Sequence, residues 1–283
     1  MKNVVVRTQK DNNLMVGQIM TKQADFIWRI SADQTDQLEK MPEVRVVRSP
    51  TYRVSVLAFG LQEGPFKDVR VRKAVAYAIN RKSIAENLVR GASEQLDTIC
   101  AVAQTACPKP GVVYDYNPDK ARELLAEAGY PDGLDTTLTG SSFRYIAEAA
   151  AGDLNKAGIR AKLEFLILGP FREKWTSGKA PIFNLGTGFW GLGDASLAFN
   201  NYFGGTESDL SRDPIVLDAL KKANAEHDLA KREALYKQAQ DRILDQAYWV
   251  PLVSVTTNYV LAKNLNFTPE KDEVQRWYLA NWN

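Results

Sequence analysis

Short β-branched and aromatic runs alternate with capped helical segments along most of this chain, and that alternation limits what it can fold into. Strand-type runs appear at 3-VVVRT-7, 26-FIWRI-30, 43-EVRVV-47 and 52-YRVSVLAF-59, with helical patterns at 12–24 and 32–40 between them. Asp68 is placed to cap a helix with Val71, Ala74, Val75, Ala78 and Ile79 on one face, and Asn80 restarts a second helix that stops at Gly91. After a loop over 92–116 comes a complete helix, 117-NPDKARELLAEAGYPDG-133. Asn117 is its cap, Pro118 takes the first helical position, Gly129 ends it, and Pro131 prevents resumption. A longer helix is predicted over 142–158, with Phe143, Ile146, Ala147, Ala150 and Leu154 inward. It leads into the alternating strand 160-RAKLEFLIL-168. A short helix near 170–176 precedes the apolar run 181-PIFNL-185. Two helices follow, at about 213–226 and 228–246, then strand runs 248-YWVPLVSV-255 and 257-TNYVLA-262. This is an α/β pattern, without internal repeats or low-complexity segments.

With 283 residues the chain can bury a real core in one large domain or two. The formal charge of +2 is scattered, with no long basic block, which argues against nucleic acid as a partner. No apolar run approaches the ~20 residues that cross a bilayer. The start, 1-MKNVVVRTQKDNN-13, lacks the apolar core of a signal peptide. Cys100 and Cys107 are the two cysteines and His227 the one histidine, too few ligands for a structural zinc site. No metal or cofactor is expected. The cysteines lie in a Pro- and Gly-bearing loop, which favours a local disulfide and an oxidising compartment over two free thiols. His227 sits at the polar end of a helix and reads as a surface residue, so no His-based catalytic arrangement is expected.

The stretch 186-GTGFWGLGDASLAF-199 carries Gly186-x-Gly188-x-x-Gly191, the spacing of a dinucleotide turn. Its context is wrong for one. No helix can start cleanly after Gly191, because Leu192, Gly193 and Asp194 follow. The intervening residues Phe189 and Trp190 are bulky. Glu207 and Asp209, at the ribose-binding distance, lie in a polar loop. The glycines read instead as the side-chain-free setting of a ligand wall at Trp190, with Phe189 as core or wall. Arg144, near a helix start, reads as a surface arginine or a contact for an anionic group.

Five segments in order, 65-PFKDVRVRKAVAYAINRKSI-84, 114-YDYNPDKARELLAEAGYPDG-133, 148-EAAAGDLNKAGIRAKLEF-165, the stretch around Trp190, and 232-REALYKQAQDRILDQAYWVPL-252, resemble the family 5 solute-binding proteins of ABC importers, the peptide and nickel type. The resemblance covers nearly the whole chain. It implies a periplasmic-binding-protein-like two-lobe fold of type II, of which this chain looks like the C-terminal portion: residues 1–62 part of lobe I, a hinge at about 59–64, residues 63–255 lobe II, and 256–283 the return to lobe I. It implies a binding module, not an enzyme. The module would be a periplasmic monomer that captures a di- or oligopeptide or a related small polar solute for a membrane permease. A ligand-sensing domain of the same fold is the alternative, and a hydrolase is disfavoured. Peptide-binding members carry Trp-x-x-Asp where this chain has Trp190 followed by Gly193, with Asp194 one place later. The implied ligand contacts are Trp190, Asp194, Phe189 and Arg144. Asp68, Arg70 and Arg72 are expected to be structural.

Overall fold

The computed structural model of the protein describes residues 3–188 and 192–283. Among them, six strands form one mixed sheet: β1 (Phe26–Trp28), β2 (Val44–Phe59), β3 (Leu134–Gly140), β4 (Ile159–Phe165), β5 (Ile182–Thr187) and β6 (Trp249–Ala262). They lie in the order β1-β6-β2-β5-β3-β4. β1, β6, β2 and β5 pair antiparallel, whereas β5, β3 and β4 are parallel. A two-stranded ribbon, β7 (Leu265–Asn266) with β8 (Asn281–Trp282), lies near the end of the chain.

The helices are α1 (Asn12–Met20), α2 (Ala32–Leu38), α3 (Val69–Ala78), α4 (Arg81–Ser83), α5 (Pro118–Glu127), α6 (Arg144–Lys156), α7 (Leu168–Thr176), α8 (Ser196–Phe203), α9 (Pro214–Ala225) and α10 (Leu229–Asp245). Local chemistry sets most of their starts. Asp11, Asp68, Asn117, Asp213 and Asp228 each accept a backbone N–H of the first turn, and Ser31 forms a reciprocal capping box with Gln34. Asn80 caps α4 through Ser83 N–H. That helix then widens into a π-helical turn, Ile84–Val89, a form that gathers at functional sites. None of the described helices is long and apolar enough to cross a membrane.

β2 and β6 are the frame of the molecule. They pair from Val44↔Ala262 to Ala58↔Trp249, so each strand serves two pairs of apolar clusters. Side chains alternate across a strand. Leu57 and Phe59 join α3 and α6 on one face, while Val54, Val56 and Ala58 join α8, α9 and α10 on the other. At the opposite end, Val44 and Val46 pack with Ile19, Ile27 and Leu38, and Val47 packs with Tyr259 and Phe267 on the reverse face. Between the two ends the ladder is irregular, at Pro50/Val54 and again at Ser55/Val56.

Several elements differ from the sequence expectation. The runs 43–47 and 52–59 form one strand, as do 248–255 and 257–262. Residues 3–7 form no strand, and Val5 and Val6 are exposed; β propensity without a pairing partner does not make a strand. β3, with the sequence LDTTLTG, carried too little apolar signal to be read, yet it pairs on both sides. The helix predicted from 142 starts at Arg144, with Phe143 left-handed before it.

Candidate functional site

A cavity of about 420 Å³ opens where β2 and β6 pass from one pair of clusters to the other. That is the size range of small-molecule sites. Its walls include Arg29 after β1, Arg53 in β2, Arg90 after the π turn, Phe143 and Tyr145 at the start of α6, and Thr256–Asn258 in β6. The irregular ladder makes the opening. Thr51 Oγ1 donates to Val255 O (2.6 Å) and accepts from Arg53 N–H (3.1 Å). Tyr52 N–H donates to Lys271 O (3.0 Å), away from the sheet partner.

The charges are arranged around one buried carboxylate. Glu273 has a side chain only 1% exposed. Its Oε1 accepts from Thr257 Oγ1 (2.7 Å) and from Arg29 Nη2 (3.3 Å). Arg53 Nε lies 3.7 Å from Oε2, an ion pair beyond hydrogen-bond reach, and Oε2 accepts no hydrogen bond among the described residues. Burial pushes the Arg53 guanidinium below its usual value; Glu273 counters this and Arg29 adds to it. The Arg53 guanidinium also lies 4.6 Å over the Phe143 ring, and that of Arg29 lies 4.2 Å over Trp28. Arg90 is neutralised separately by Asp33 and by Asp36 (2.8 Å).

Backbone strain collects at the same place. Arg29 (φ 61°), Arg90 (φ 61°), Phe143 (φ 50°) and Glu273 (φ 59°) all adopt positive φ. Each such non-glycine residue costs about 1–3 kcal/mol. Strain kept by the surrounding structure points to a functional constraint.

The glycine-rich stretch borders this wall. A Cβ on Gly186 would collide with Phe143 Cε2, and one on Gly193 would stand 2.9 Å from Tyr52 Oη. At Gly188 (φ 133°) a Cβ would meet Arg53 Cα at 2.5 Å. These glycines let the segment lie directly on the residues that shape the cleft. Phe189, Trp190 and Gly191 themselves lie outside the described residues.

On the far side of the stretch, a disulfide joins Cys100 to Cys107, with Cα atoms 5.9 Å apart. Its loop grips the chain: Thr105 N–H donates to Gly193 O (2.7 Å), and Ala195 N–H donates to Thr105 O (3.0 Å). Asp194, named from sequence as a ligand contact, has partners in its own chain. Oδ1 accepts from Ser196 N–H (2.9 Å), and Oδ2 pairs with Arg232 Nη2 (2.5 Å). Burial would raise its carboxyl, but these bonds more than offset that and hold it below the usual range. Arg144 donates to Glu148 (2.8 Å), lies 4.9 Å over the Phe165 ring, and is two-thirds exposed. Its neighbours Phe143 and Tyr145 line the cavity; Arg144 and Asp194 do not.

Asp68, Arg70 and Arg72 are structural in this arrangement. Asp68 caps α3, Arg70 pairs with Asp68 (2.6 Å), and Arg72 donates to the carbonyls of Phe66, Lys67 and Gln246. Sequence reasoning missed Arg29, Arg53 and Glu273. The available signal was a charge set inside an apolar strand, at 26-FIWRI-30 and 52-YRVSVLAF-59.

This fold is that of periplasmic solute-binding proteins. The periplasmic binding protein DppA of Helicobacter pylori, solved with the peptide STSA, superposes with a TM-score of 0.85 at 24% identity, over 98% of this chain and 56% of that one. A dipeptide-binding protein of Pseudoalteromonas sp. SM9913 in complex with Met-Leu also gives 0.85, at 21% identity over 96% of this chain and 57% of that one. The sequence model for bacterial extracellular solute-binding proteins, family 5 Middle, matches residues 1–209. The chain therefore belongs to the family 5 bacterial extracellular solute-binding proteins, which are binding proteins and not enzymes. Among its relatives, the glutathione-binding protein GsiB of Escherichia coli K12 is 29% identical over 93% of this chain. The chain spans about half the length of that relative, 54%.

Proposed function

We propose that this protein is the receptor component of an ABC importer. It takes a small polar solute, a di- or oligopeptide or a related compound, into the cleft and presents the closed form to a membrane permease. One observation carries this reading: the cavity of about 420 Å³ lies where, among the described residues, β2 and β6 carry the chain between two pairs of apolar clusters. Two bodies joined by two strands close by hinge bending. In this reading the lobes follow the expected division, 1–62 and 256–283 against 63–255, except that the bending residues lie in the irregular ladder at 50–54 rather than at 59–64, so 54–62 go with 63–255. Phe189 and Trp190, directly after Gly188, supply an apolar wall. Asp194 is tied to Ser196 and Arg232 rather than to the cavity, and Arg144 stays at the rim. The location is the periplasm, where the disulfide persists, and the receptor works as a monomer.

Native mass spectrometry of the protein purified from its source tests the reading. The expected spectrum carries a retained solute of a few hundred daltons that is released on denaturation. A bare chain that also shows no thermal shift with glutathione or with mixed di- and tripeptides would refute it.

A further inference from the structure

We propose that the cleft anchors its ligand through a carboxylate, and that the guanidinium of Arg53 receives it. The proposal rests on the reading of the cavity as the solute site. Arg29 and Arg53 share a single carboxylate, Glu273, so the three groups carry one net positive charge. Of the other charged residues that line the cavity, Arg90 and Asp33 pair with each other; Asp36, Glu39 and Arg48 pair behind them, off the lining.

Arg53 differs from the other arginines near the cleft. Its side chain is 20% exposed, and among the described residues its guanidinium makes no hydrogen bond; its ion pair with Glu273 stands at 3.7 Å, from Nε. Phe143 covers it by stacking at 4.6 Å, which fixes the planar group without using its donors. A largely desolvated guanidinium with unused N–H donors, on the wall of a cavity, is a ready partner for a planar oxyanion. The net charge of one matches a monoanionic carboxylate. A dianion such as phosphate would add repulsion from Glu273. Arg144, the arginine suggested from sequence for an anionic group, already has Glu148 and lies off the cavity.

The test uses three equimolar mixtures of di- and tripeptides: free acids, C-terminal amides, and N-acetylated free acids. Binding is read by thermal shift and by tryptophan fluorescence on the wild-type protein, Arg53→Gln and Arg53→Lys. Both acid mixtures are expected to bind wild type about tenfold or more tightly than the amides, the size of a charged hydrogen bond. Arg53→Gln should abolish that ratio, and Arg53→Lys should restore part of it. Far-UV circular dichroism verifies that the variants are folded, and the acid-to-amide ratio is read within each one. Acid and amide binding alike to wild type would overturn the carboxylate anchor and leave solute binding intact. A ratio unchanged in Arg53→Gln would overturn the role of Arg53. Failure of all three mixtures to bind would remove the peptide-receptor reading and this inference with it.

Discussion

Replacing Gly188 by alanine tests whether the glycine stretch is shaped by the cleft wall. Gly188 has φ 133°, a region closed to residues with a Cβ, so alanine there costs about 1–3 kcal/mol in backbone strain. The added Cβ would also stand 2.5 Å from Arg53 Cα and 2.8 Å from Tyr52 O. Both are backbone atoms and neither can swing aside. Separating the end of β5 from β2 adds about 1–3 kcal/mol, as in overpacked cores. The sum, about 2–6 kcal/mol, corresponds to a Tm roughly 4–12 °C lower for a chain of this size. Gly152→Ala is the matched control. It lies inside α6 with nothing within 4 Å of its Cβ, so alanine should stabilise by about 1 kcal/mol. Differential scanning calorimetry on both variants decides the matter. If Gly188→Ala melts no lower than Gly152→Ala, the close approach to Arg53 is not real.

Removing the disulfide by Cys100→Ser with Cys107→Ser should lower stability by about 2–3 kcal/mol, measured by the urea midpoint, since the bridge closes a short loop. Arg81→Met should cost about 3–5 kcal/mol by the same assay, because the buried guanidinium donates to the carbonyls of Leu96 and Tyr114 and pairs with Asp97 (2.8 Å). Asp213 gives a pH signature. Burial would raise its carboxyl, but bonds from Arg242, Tyr248 and Ile215 N–H hold it below the usual range. Its contribution is therefore full above the unfolded carboxyl pKa of about 3.9, and it is lost as pH falls from there through the depressed folded value. Urea midpoints of wild type should drop faster than those of Asp213→Asn below about pH 4; parallel curves would show that the carboxylate contributes nothing.

The helices were legible because their signals are local. Asp68, Asn80, Asn117, Asp213 and Asp228 announce helix starts within a few residues of the bonds they make. The family resemblance was legible for the same reason, since its segments are contiguous. The cleft was not. Arg29 and Arg53 meet Glu273 only because β2 and β6 pair and the last segment of the chain folds back over them. Nothing near residue 273 signals a buried carboxylate. β3 was missed because its threonines look like loop until β4 and β5 flank it. Arg144 attracted attention as a helix-start cation, yet the side chains on either side of it are the ones that reach the cavity.

The pairing of β2 with β6 also has a kinetic consequence. Their ladder closes at Ala58↔Trp249, so everything from 59 to 248 is in effect one very long hairpin loop. Closing such a loop from a disordered chain costs about 5 kcal/mol in entropy beyond local ordering. That cost shrinks once the intervening segment has collapsed and carries its ends close together. The middle of the chain therefore gathers together with the part of the ladder that fills its clusters, 54–58 against 249–254, and the part beyond the irregularity, 44–50 against 256–262, pairs afterwards. The binding site is then among the last parts of the molecule to form, and a mutation that slows collapse of the interior would delay the appearance of ligand binding even where every residue of the cleft is intact.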